Sequence, residues 1–217
     1  MSARLVEKEG FAALVLRLRA EGISDIDLLT AVEQTPRSLF VPPQFAEDAY
    51  STRTIPIECG SFVEGVDTAV RILHHLKVKP GQRVLEVGTG SGFMAAVMGR
   101  MAERVLTIDR YKTLVVNAQK RMDQLSLRNI IVRQADGSNG LQGEGTFDRI
   151  LVTAAFASMP RFYTDQLVSG GSMIAPLMIS DDECRMVRLT KTGSRFEREE
   201  LFTVPYLPIV PRLASQL

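Results

Sequence analysis

The fold is decided by the stretch Arg83-Val84-Leu85-Glu86-Val87-Gly88-Thr89-Gly90-Ser91-Gly92-Phe93. Its first half is an apolar segment typical of a buried strand, and its second half has glycine at every second position. Glycine has no Cβ, so such a loop can turn sharply and let a ligand approach the backbone. A helix is expected next, and its first N–H groups suit an electronegative ligand group. This order of strand, glycine loop and helix predicts the nucleotide-binding corner of an open α/β sheet.

The glycine spacing indicates which nucleotide is bound. A dinucleotide loop reads G-x-G-x-x-G, whereas here Gly92 follows Gly90 by two places. Glu86 also stands two places before Gly88. The run E-x-G-x-G-x-G resembles motif I of class I S-adenosylmethionine (SAM) methyltransferases, in which a carboxylate can face the ammonium group of the ligand. A nicotinamide-dependent oxidoreductase is therefore the weaker alternative.

Composition excludes several classes of protein. The chain has 217 residues, of which 45% are hydrophobic and 24% charged, so we expect one globular α/β unit with an N-terminal addition. A net charge of +1 does not favour nucleic acid as a partner. The N-terminal residues do not resemble a signal peptide, and no apolar run approaches the roughly 20 residues that span a membrane. Two distant cysteines fit neither a disulfide framework nor a zinc site, so we expect no metal and a cytoplasmic location.

The N-terminal third is predicted to be helical and then irregular. Apolar residues between Phe11 and Leu18 recur at helical spacing, and Ser24 is the expected N-cap of a second helix. Residues 37–43, with their prolines, are expected to be extended, and residues 49–64 to be irregular. We therefore interpret residues 1–65 as an N-terminal helical cap with a substrate-side loop.

Residues 66–217 are predicted to form a SAM-binding α/β domain that packs with the cap as one compact unit. Strands alternating with helices favour an open Rossmann-like sheet with helices on both faces. A short helix is expected to include Phe162 and Leu167, and segments 185–190 and 195–204 are expected to add antiparallel strands at the C-terminal edge. The predicted parallel strands lie at 83–87, 104–108, 130–132, 147–153 and 172–177.

Polar residues follow the predicted strands at one edge of the sheet. Asp109, which ends the second strand, is placed to accept the ribose hydroxyls, and Asp136 is placed to accept the adenine amino group. The alternatives are a solvated strand-end carboxylate at Asp109 and an ordinary Asp-Gly turn at Asp136. His74 and His75 are expected to lie away from this edge. The predicted cofactor-binding residues are Glu86, Gly88, Thr89, Gly90, Ser91, Gly92, Asp109, Arg110, Asp136, Gly137 and Thr153.

Several segments together resemble one family, the protein-L-isoaspartate O-methyltransferases. The resemblance extends from about residue 25 to about residue 210. It implies SAM as cofactor, methylation of isoaspartyl carboxylates in damaged proteins, a cytosolic setting and an N-terminal part that helps to cover the site. The segments that carry it are Pro36-Arg37-Ser38-Leu39-Phe40-Val41-Pro42, Ala49-Tyr50, Ile55-Pro56-Ile57, Val84 to Gly92, Asp136-Gly137 with Gly140, Phe147-Asp148 through Thr153-Ala154-Ala155, and Gln166 to Gly171.

The chain departs from this family in the loop after Ile57. The family usually carries Gly-x-Gly-Gln-Thr-Ile-Ser there, and its Thr and Ser help to bind substrate and close over SAM. This chain has Glu58-Cys59-Gly60-Ser61-Phe62-Val63-Glu64, so Phe62 and Glu64 replace the two hydroxyl residues. Glu64 would place a like charge near the substrate carboxylate, unless it is protonated or turned away. The substrate-side candidates are Gly60, Ser61, Phe62, Glu64 and Arg53.

The altered loop leaves alternatives open. The chain methylates isoaspartyl residues, methylates a different acceptor, or binds SAM without catalysis. No catalytic base is predicted, because a carboxylate acceptor is already nucleophilic at neutral pH. The sequence makes no prediction of the oligomeric state.

Overall fold

The computed structural model describes residues 3–180 and 183–214. Its α-helices are α1 (Ala3–Ala20), α2 (Ile26–Glu33), α3 (Val66–Leu76), α4 (Phe93–Met101), α5 (Lys112–Gln124) and α6 (Arg161–Asp165). Its strands are β1 (Ile55–Pro56), β2 (Phe62–Val63), β3 (Arg83–Val87), β4 (Arg104–Asp109), β5 (Ile130–Gln134), β6 (Phe147–Val152), β7 (Leu167–Met178), β8 (Cys184–Thr192) and β9 (Arg195–Thr203). Short 3₁₀ helices cover Arg37–Phe40, Pro43–Asp48 and Glu58–Gly60.

Seven strands form one sheet in the order β5-β4-β3-β6-β7-β8-β9. The pairs from β5 to β7 are parallel, and β8 and β9 add antiparallel pairs at one edge. The predicted fold class is therefore confirmed, including the antiparallel C-terminal strands. The carboxyl ends of β3, β4, β5 and β6 meet at one edge, as they must in a parallel sheet.

Successive residues of the central strands point to opposite faces of the sheet, as the pleat requires. On β3, Val84 belongs to the core shared with helices α1 to α4, and Leu85 belongs to the core that contains Tyr163 of α6. Both side chains are fully buried. Both faces of the sheet are thus covered, which explains why β3 has apolar residues, Val84 and Leu85, facing both sides.

The N-terminal helices pack against α3 and the sheet. Leu14 and Leu18 of α1 are fully buried. Arg17 makes a two-pronged ion pair with Asp67 of α3, with nitrogen-to-oxygen distances of 2.7 and 2.8 Å. The predicted helical stripe of α1 is therefore confirmed.

Three local predictions were wrong. Asp25, not Ser24, caps α2, because its Oδ1 accepts a hydrogen bond from the Leu28 N–H at 3.2 Å. Within residues 37–43 only Val41 and Pro42 are extended, since the fixed φ of proline suits the entry to a helical turn, and Pro36 and Pro42 each precede a 3₁₀ helix. Leu167 is not helical but begins β7, where it pairs with Phe147.

The segment expected to be irregular contains a small hairpin. Strands β1 and β2 pair antiparallel, with Ile55 opposite Val63. The turn between them places Cys59 in the left-handed region, at φ 62°. In the described ranges 3–180 and 183–214, no helix combines the length and the apolar character needed to cross a bilayer.

Candidate functional site

A cavity opens at the carboxyl ends of the parallel strands. The cavity is open to solvent at its mouth. Three groups of residues supply most of its lining: the glycine loop with strand ends 86–91, 108–111 and 153–154; the hairpin residues 59–64; and the C-terminal segment 206–210. We call 59–64 the hairpin wall and 206–210 the C-terminal wall.

The glycine loop is held against β4 and β6. The Gly88 and Thr89 N–H groups donate to the Ile108 carbonyl at 2.8 and 3.0 Å. Gly88 has φ 98°, and a Cβ there would lie 2.2 Å from Thr153 Oγ1. Thr153 Oγ1 in turn donates to the Gly88 carbonyl at 3.0 Å. Only glycine fits this turn without strain, which explains the first glycine of the motif.

The second and third glycines serve different purposes. A Cβ on Gly90 would meet only Ile57 at 3.9 Å, so this part of the loop is open toward the cavity. A Cβ on Gly92 would lie 2.8 Å from Met122 and 3.1 Å from Ala118 of α5. Gly92 therefore permits close helix packing and does not line the cavity. No side chain caps α4, whose first residues Phe93 and Met94 line the cavity.

Glu86 is a buried carboxyl group in the cavity wall. It is 1% exposed, and its Oε2 accepts a hydrogen bond from Thr107 Oγ1 at 2.5 Å. Thr107 is also within 2.7 Å of Thr89 Oγ1, which links the carboxyl group to the glycine loop. Burial, together with the nearby Glu64 and Asp109, raises the pKa of Glu86 to about 8, although the Thr107 hydrogen bond opposes the rise. The group is thus mostly neutral at pH 7 until a cation reaches it.

Asp109 braces the glycine loop and faces the cavity. Its Oδ2 accepts from the Gly90 N–H and its Oδ1 from the Tyr111 N–H, both at 3.0 Å. Burial raises the pKa of Asp109, and these backbone hydrogen bonds oppose that rise. Each carboxylate oxygen keeps a further lone pair for a hydroxyl donor.

Three predicted residues lie outside the cavity lining. The Asp136 carboxylate accepts from the Ser138 N–H at 2.8 Å and the Arg212 N–H at 2.7 Å, so it ties the C-terminal segment to the sheet. Its neighbour Gly137 does line the cavity. Arg53 pairs with Asp48 at 2.6 Å, and its side chain is largely exposed. Gly92 packs against α5, as described above.

The other predicted residues all line the cavity: Gly60, Ser61, Phe62, Glu64, Glu86, Gly88, Thr89, Gly90, Ser91, Asp109, Arg110, Gly137 and Thr153. His74 and His75 do not belong to the lining and lie in the last turn of α3, as expected. Within residues 3–180 and 183–214, no group of three His, Cys, Asp or Glu side chains is placed to hold a metal.

Sequence reasoning missed the C-terminal wall. Val204 to Pro211 contains no charged residue and carries proline at every third position from Pro205. That pattern is typical of an extended, packed segment, and could have identified the wall. The segment lies beside the end of β6, where the Ala155 N–H donates to the Leu207 carbonyl at 2.8 Å and the Ile209 N–H donates to the Ala155 carbonyl at 2.8 Å.

The two walls touch at Tyr206. Its hydroxyl donates to Glu64 Oε2 at 3.1 Å, and its ring stacks on Phe62 with a centroid distance of 6.3 Å and an interplanar angle of 16°. Glu64 is 5% exposed and Tyr206 is 7% exposed. Phe62 and Glu64, which replace the family's two hydroxyl residues, therefore both contact Tyr206, which lies 142 positions after Glu64.

Arg37 supports the hairpin wall from behind. It is 1% exposed, its Nη2 donates to the Glu64 carbonyl at 2.7 Å, and its guanidinium carbon lies 4.3 Å from the Phe93 ring centroid. Burial lowers the pKa of Arg37, while the neighbouring Glu64 raises it. The buried guanidinium fixes the main chain at the same residue whose carboxylate holds Tyr206.

A sequence model of the family described as protein-L-isoaspartate(D-aspartate) O-methyltransferase matches residues 9–214. The chain belongs to this family. A protein-L-isoaspartate O-methyltransferase from Rhizobium meliloti (strain 1021) is 66% identical over 94% of this chain and 100% of its own length. A second, from Parvibaculum lavamentivorans, is 40% identical over 94% of this chain and 92% of its own.

Solved structures agree on the fold. A protein-L-isoaspartate O-methyltransferase from Plasmodium falciparum, solved in complex with S-adenosyl-L-homocysteine, matches with a TM-score of 0.80 and 23% identity. The match covers 91% of this chain and 97% of that protein. The family confirms that the chain is a SAM-dependent protein-L-isoaspartate O-methyltransferase, which excludes the nicotinamide alternative.

The residues of the cavity fit SAM. The buried Glu86 carboxyl group suits the ammonium group of SAM, because a cation favours its ionised form. The Asp109 carboxylate has free lone pairs for the ribose hydroxyls. The open turn at Gly90 leaves room for the methionine portion beside the main chain. The donor set is therefore that of a nucleoside–amino-acid ligand.

Proposed function

We propose that the cavity is the active site in which isoaspartyl carboxylates of damaged proteins accept a methyl group from SAM. The observation that supports this most directly is that Glu86, Asp109 and the glycine loop line one cavity together with the hairpin wall. The residues suited to the methyl donor thus line the same cavity as the residues at the family's substrate position.

The donor side is assigned to residues at the ends of β3, β4 and β6. Glu86 ionises and pairs with the ammonium group, Asp109 accepts the ribose hydroxyls, and the open backbone of Gly88 to Ser91 accommodates the methionine portion. Gly137 replaces Asp136 as the residue beside the adenine, because Gly137 lines the cavity, whereas Asp136 lies outside the lining and its carboxylate accepts from the Ser138 and Arg212 N–H groups. Arg110 and Thr153 also line this side.

The acceptor side is assigned to Gly60, Ser61, Phe62 and Glu64. When bound, SAM supplies an electrophilic methyl group on a sulfonium ion. The isoaspartyl carboxylate is itself the nucleophile, so the chain provides no general base. Its residues act by orienting the acceptor oxygen and by excluding water, and orientation alone is worth several powers of ten in rate.

Residues 1–65 serve as a cap that carries the acceptor side, and residues 66–217 as the donor-binding domain, the two forming one unit. Arg37 supports this assignment, because a cap residue fixes the hairpin wall from behind. The proposed partners are isoaspartyl-containing proteins in the cytoplasm. The proposal assigns the protein no nucleic acid or membrane partner.

Methyl transfer from labelled SAM to an isoaspartyl peptide tests the function. We expect base-labile methyl ester in the isoaspartyl peptide and none in the matched aspartyl peptide, because the two differ in where the free carboxylate lies. Methylation of both peptides alike, or of neither in protein that binds SAM, would instead favour a different acceptor or a binding-only role.

Glu64→Gln is expected to improve peptide binding. The amide keeps the size of the side chain and an oxygen acceptor for Tyr206, but removes a negative charge that faces an anionic acceptor. We expect the KM for the isoaspartyl peptide to fall by about threefold or more, from the loss of like-charge repulsion. Steady-state kinetics at low salt measures this, with Glu58→Gln as control, since Glu58 lies in the same hairpin but outside the lining. An unchanged KM would mean that the Glu64 carboxylate does not face the acceptor.

A further inference from the structure

The two walls of the cavity come from distant parts of the chain. The hairpin wall follows Ile57, and Ile57 itself passes 3.9 Å from where a Cβ of Gly90 would stand. The C-terminal wall is held to β6 through Ala155, and further along Arg212 and Ala214 bond to Asp136 and Arg110. Each wall therefore has its own attachment to the rest of the structure, the hairpin wall through Arg37 and the C-terminal wall through Ala155.

One residue joins the walls where they approach each other. Tyr206 reaches from the C-terminal wall to both Phe62 and Glu64, and its side chain is almost fully buried. Burial and the neighbouring Glu64 raise the pKa of Tyr206 well above its ordinary value, so the hydroxyl stays protonated and remains a donor. We call the Phe62–Tyr206 ring stack and the Tyr206–Glu64 hydrogen bond the closing contact.

We propose that Tyr206 is a positioning residue whose closing contact joins the two walls over the cofactor cavity, so that the cofactor enters and leaves only when this contact opens. This inference rests on the proposed cofactor site. It assigns Phe62 and Glu64 a second role, because both residues act on cofactor exchange through Tyr206.

The chemistry of the closing contact suits a reversible closure. It consists of one side-chain hydrogen bond and one aromatic pair, and no main-chain hydrogen bond joins the hairpin wall to the C-terminal wall among the described residues. Opening the closing contact breaks no strand pairing. The hydrogen bonds between β1 and β2, and those of Ala155 with Leu207 and Ile209, do not involve the side chains of the closing contact. Arg37 keeps the Glu64 main chain in place while the side chains separate.

Tyr206→Phe tests the proposal with the ring retained and the hydroxyl removed. Surface plasmon resonance on the immobilised full chain gives the association and dissociation rate constants of S-adenosylhomocysteine, a ligand that does not turn over. We expect both rate constants to rise together by about tenfold, which is the loss of about 1.4 kcal/mol of closing energy. The equilibrium Kd is expected to stay within about twofold of wild type, because opening speeds entry and exit alike.

Tyr50→Phe is the matched control. Its hydroxyl also donates to a glutamate, Glu7 Oε2 at 2.7 Å, but neither residue lines the cavity. The control should leave both rate constants unchanged. Glu64→Ala removes the acceptor of the same hydrogen bond and should reproduce the effect of Tyr206→Phe. The double variant should then add little, since both changes break one interaction.

The outcomes separate the alternatives. Unchanged rate constants in Tyr206→Phe and Glu64→Ala overturn the proposal, because the closing contact would then not limit exchange. A dissociation rate that rises alone, with a matching rise in Kd, also overturns it and shows that Tyr206 contacts the ligand directly. A wild-type chain that binds no S-adenosylhomocysteine contradicts the proposed function itself.

Discussion

Replacing Glu86 by Gln is expected to stabilise the ligand-free protein while it weakens SAM binding. The folded-state pKa of Glu86 is raised to about 8, from about 4.5 in the unfolded chain. Below pH 4.5 the group is neutral in both the folded and the unfolded chain. Above pH 8 it is ionised in both, and the folded chain carries the cost of a buried charge. The wild-type free energy of unfolding therefore falls, through this group, as pH rises from about 4.5 to 8.

The isosteric amide removes that cost. At pH 8.5 we expect the free energy of unfolding of Glu86→Gln to exceed that of wild type by about 2–5 kcal/mol, and at pH 4 by little. Urea unfolding at the two pH values measures the difference. Glu197→Gln, an exposed change on β9, is the control and should show no such pH dependence. Equal free energies of unfolding for wild type and Glu86→Gln at pH 8.5 would mean that the folded protein carries no cost for ionising Glu86.

The same substitution changes the protonation that accompanies binding. Ionised Glu86 is the form that pairs with the ammonium group, so SAM binding to wild type should release close to one proton at pH 7, and its affinity should rise toward pH 8. Isothermal titration in buffers of different ionisation enthalpy measures this release. We expect Glu86→Gln to release none and to bind SAM about 10- to 100-fold more weakly, the value of a charged hydrogen bond.

Gly88→Ala is the second change with a large expected effect. Alanine at φ 98° is strained, and its Cβ would lie 2.2 Å from Thr153 Oγ1, whose hydroxyl already bonds the Gly88 carbonyl. Relief of this clash moves the loop that lines the cavity. We expect a loss of about 2–4 kcal/mol of stability and a fall in SAM affinity of about 100-fold or more.

Gly193→Ala separates backbone strain from loop geometry. Gly193 also has positive φ, 62°, but a Cβ there meets nothing within 4 Å, and it lies in the turn between β8 and β9. Its cost should be about 1–2 kcal/mol, with SAM affinity unchanged. Comparable SAM affinities in the two variants would show that the shape of the Gly88 turn is unimportant for binding.

Much of the fold was predictable because local patterns and packing agree. The apolar residues of β3 are buried on both faces of the sheet. The loop that follows must turn at Gly88, where Thr153 leaves no room for a Cβ and the Ile108 carbonyl accepts the Gly88 N–H. Local errors arose where two residues compete for one role, as with Ser24 and Asp25, or where proline permits both extended chain and helical turns, as at Pro36 and Pro42.

The site was predictable only in part. The glycine motif pointed to Glu86 and the strand-end rule to Asp109, and both line the cavity, because parallel strands end at one edge. The same rule places Asp136 at that edge, but it cannot show that the Asp136 carboxylate accepts a hydrogen bond from the Arg212 N–H. Tyr206 was missed for the same reason, since contacts between residues more than 100 positions apart leave no local pattern.

The distance between the glycine loop and the C-terminal wall has a consequence for how the protein is made. The ribosome synthesises Gly92 well before Tyr206, so the sheet edge with Glu86 and Asp109 can form while one side of the cavity does not yet exist. A nascent chain that stops short of residue 206 lacks the Glu64 partner and the segment that pairs with Ala155. We therefore expect chains that end before residue 206 not to retain the cofactor.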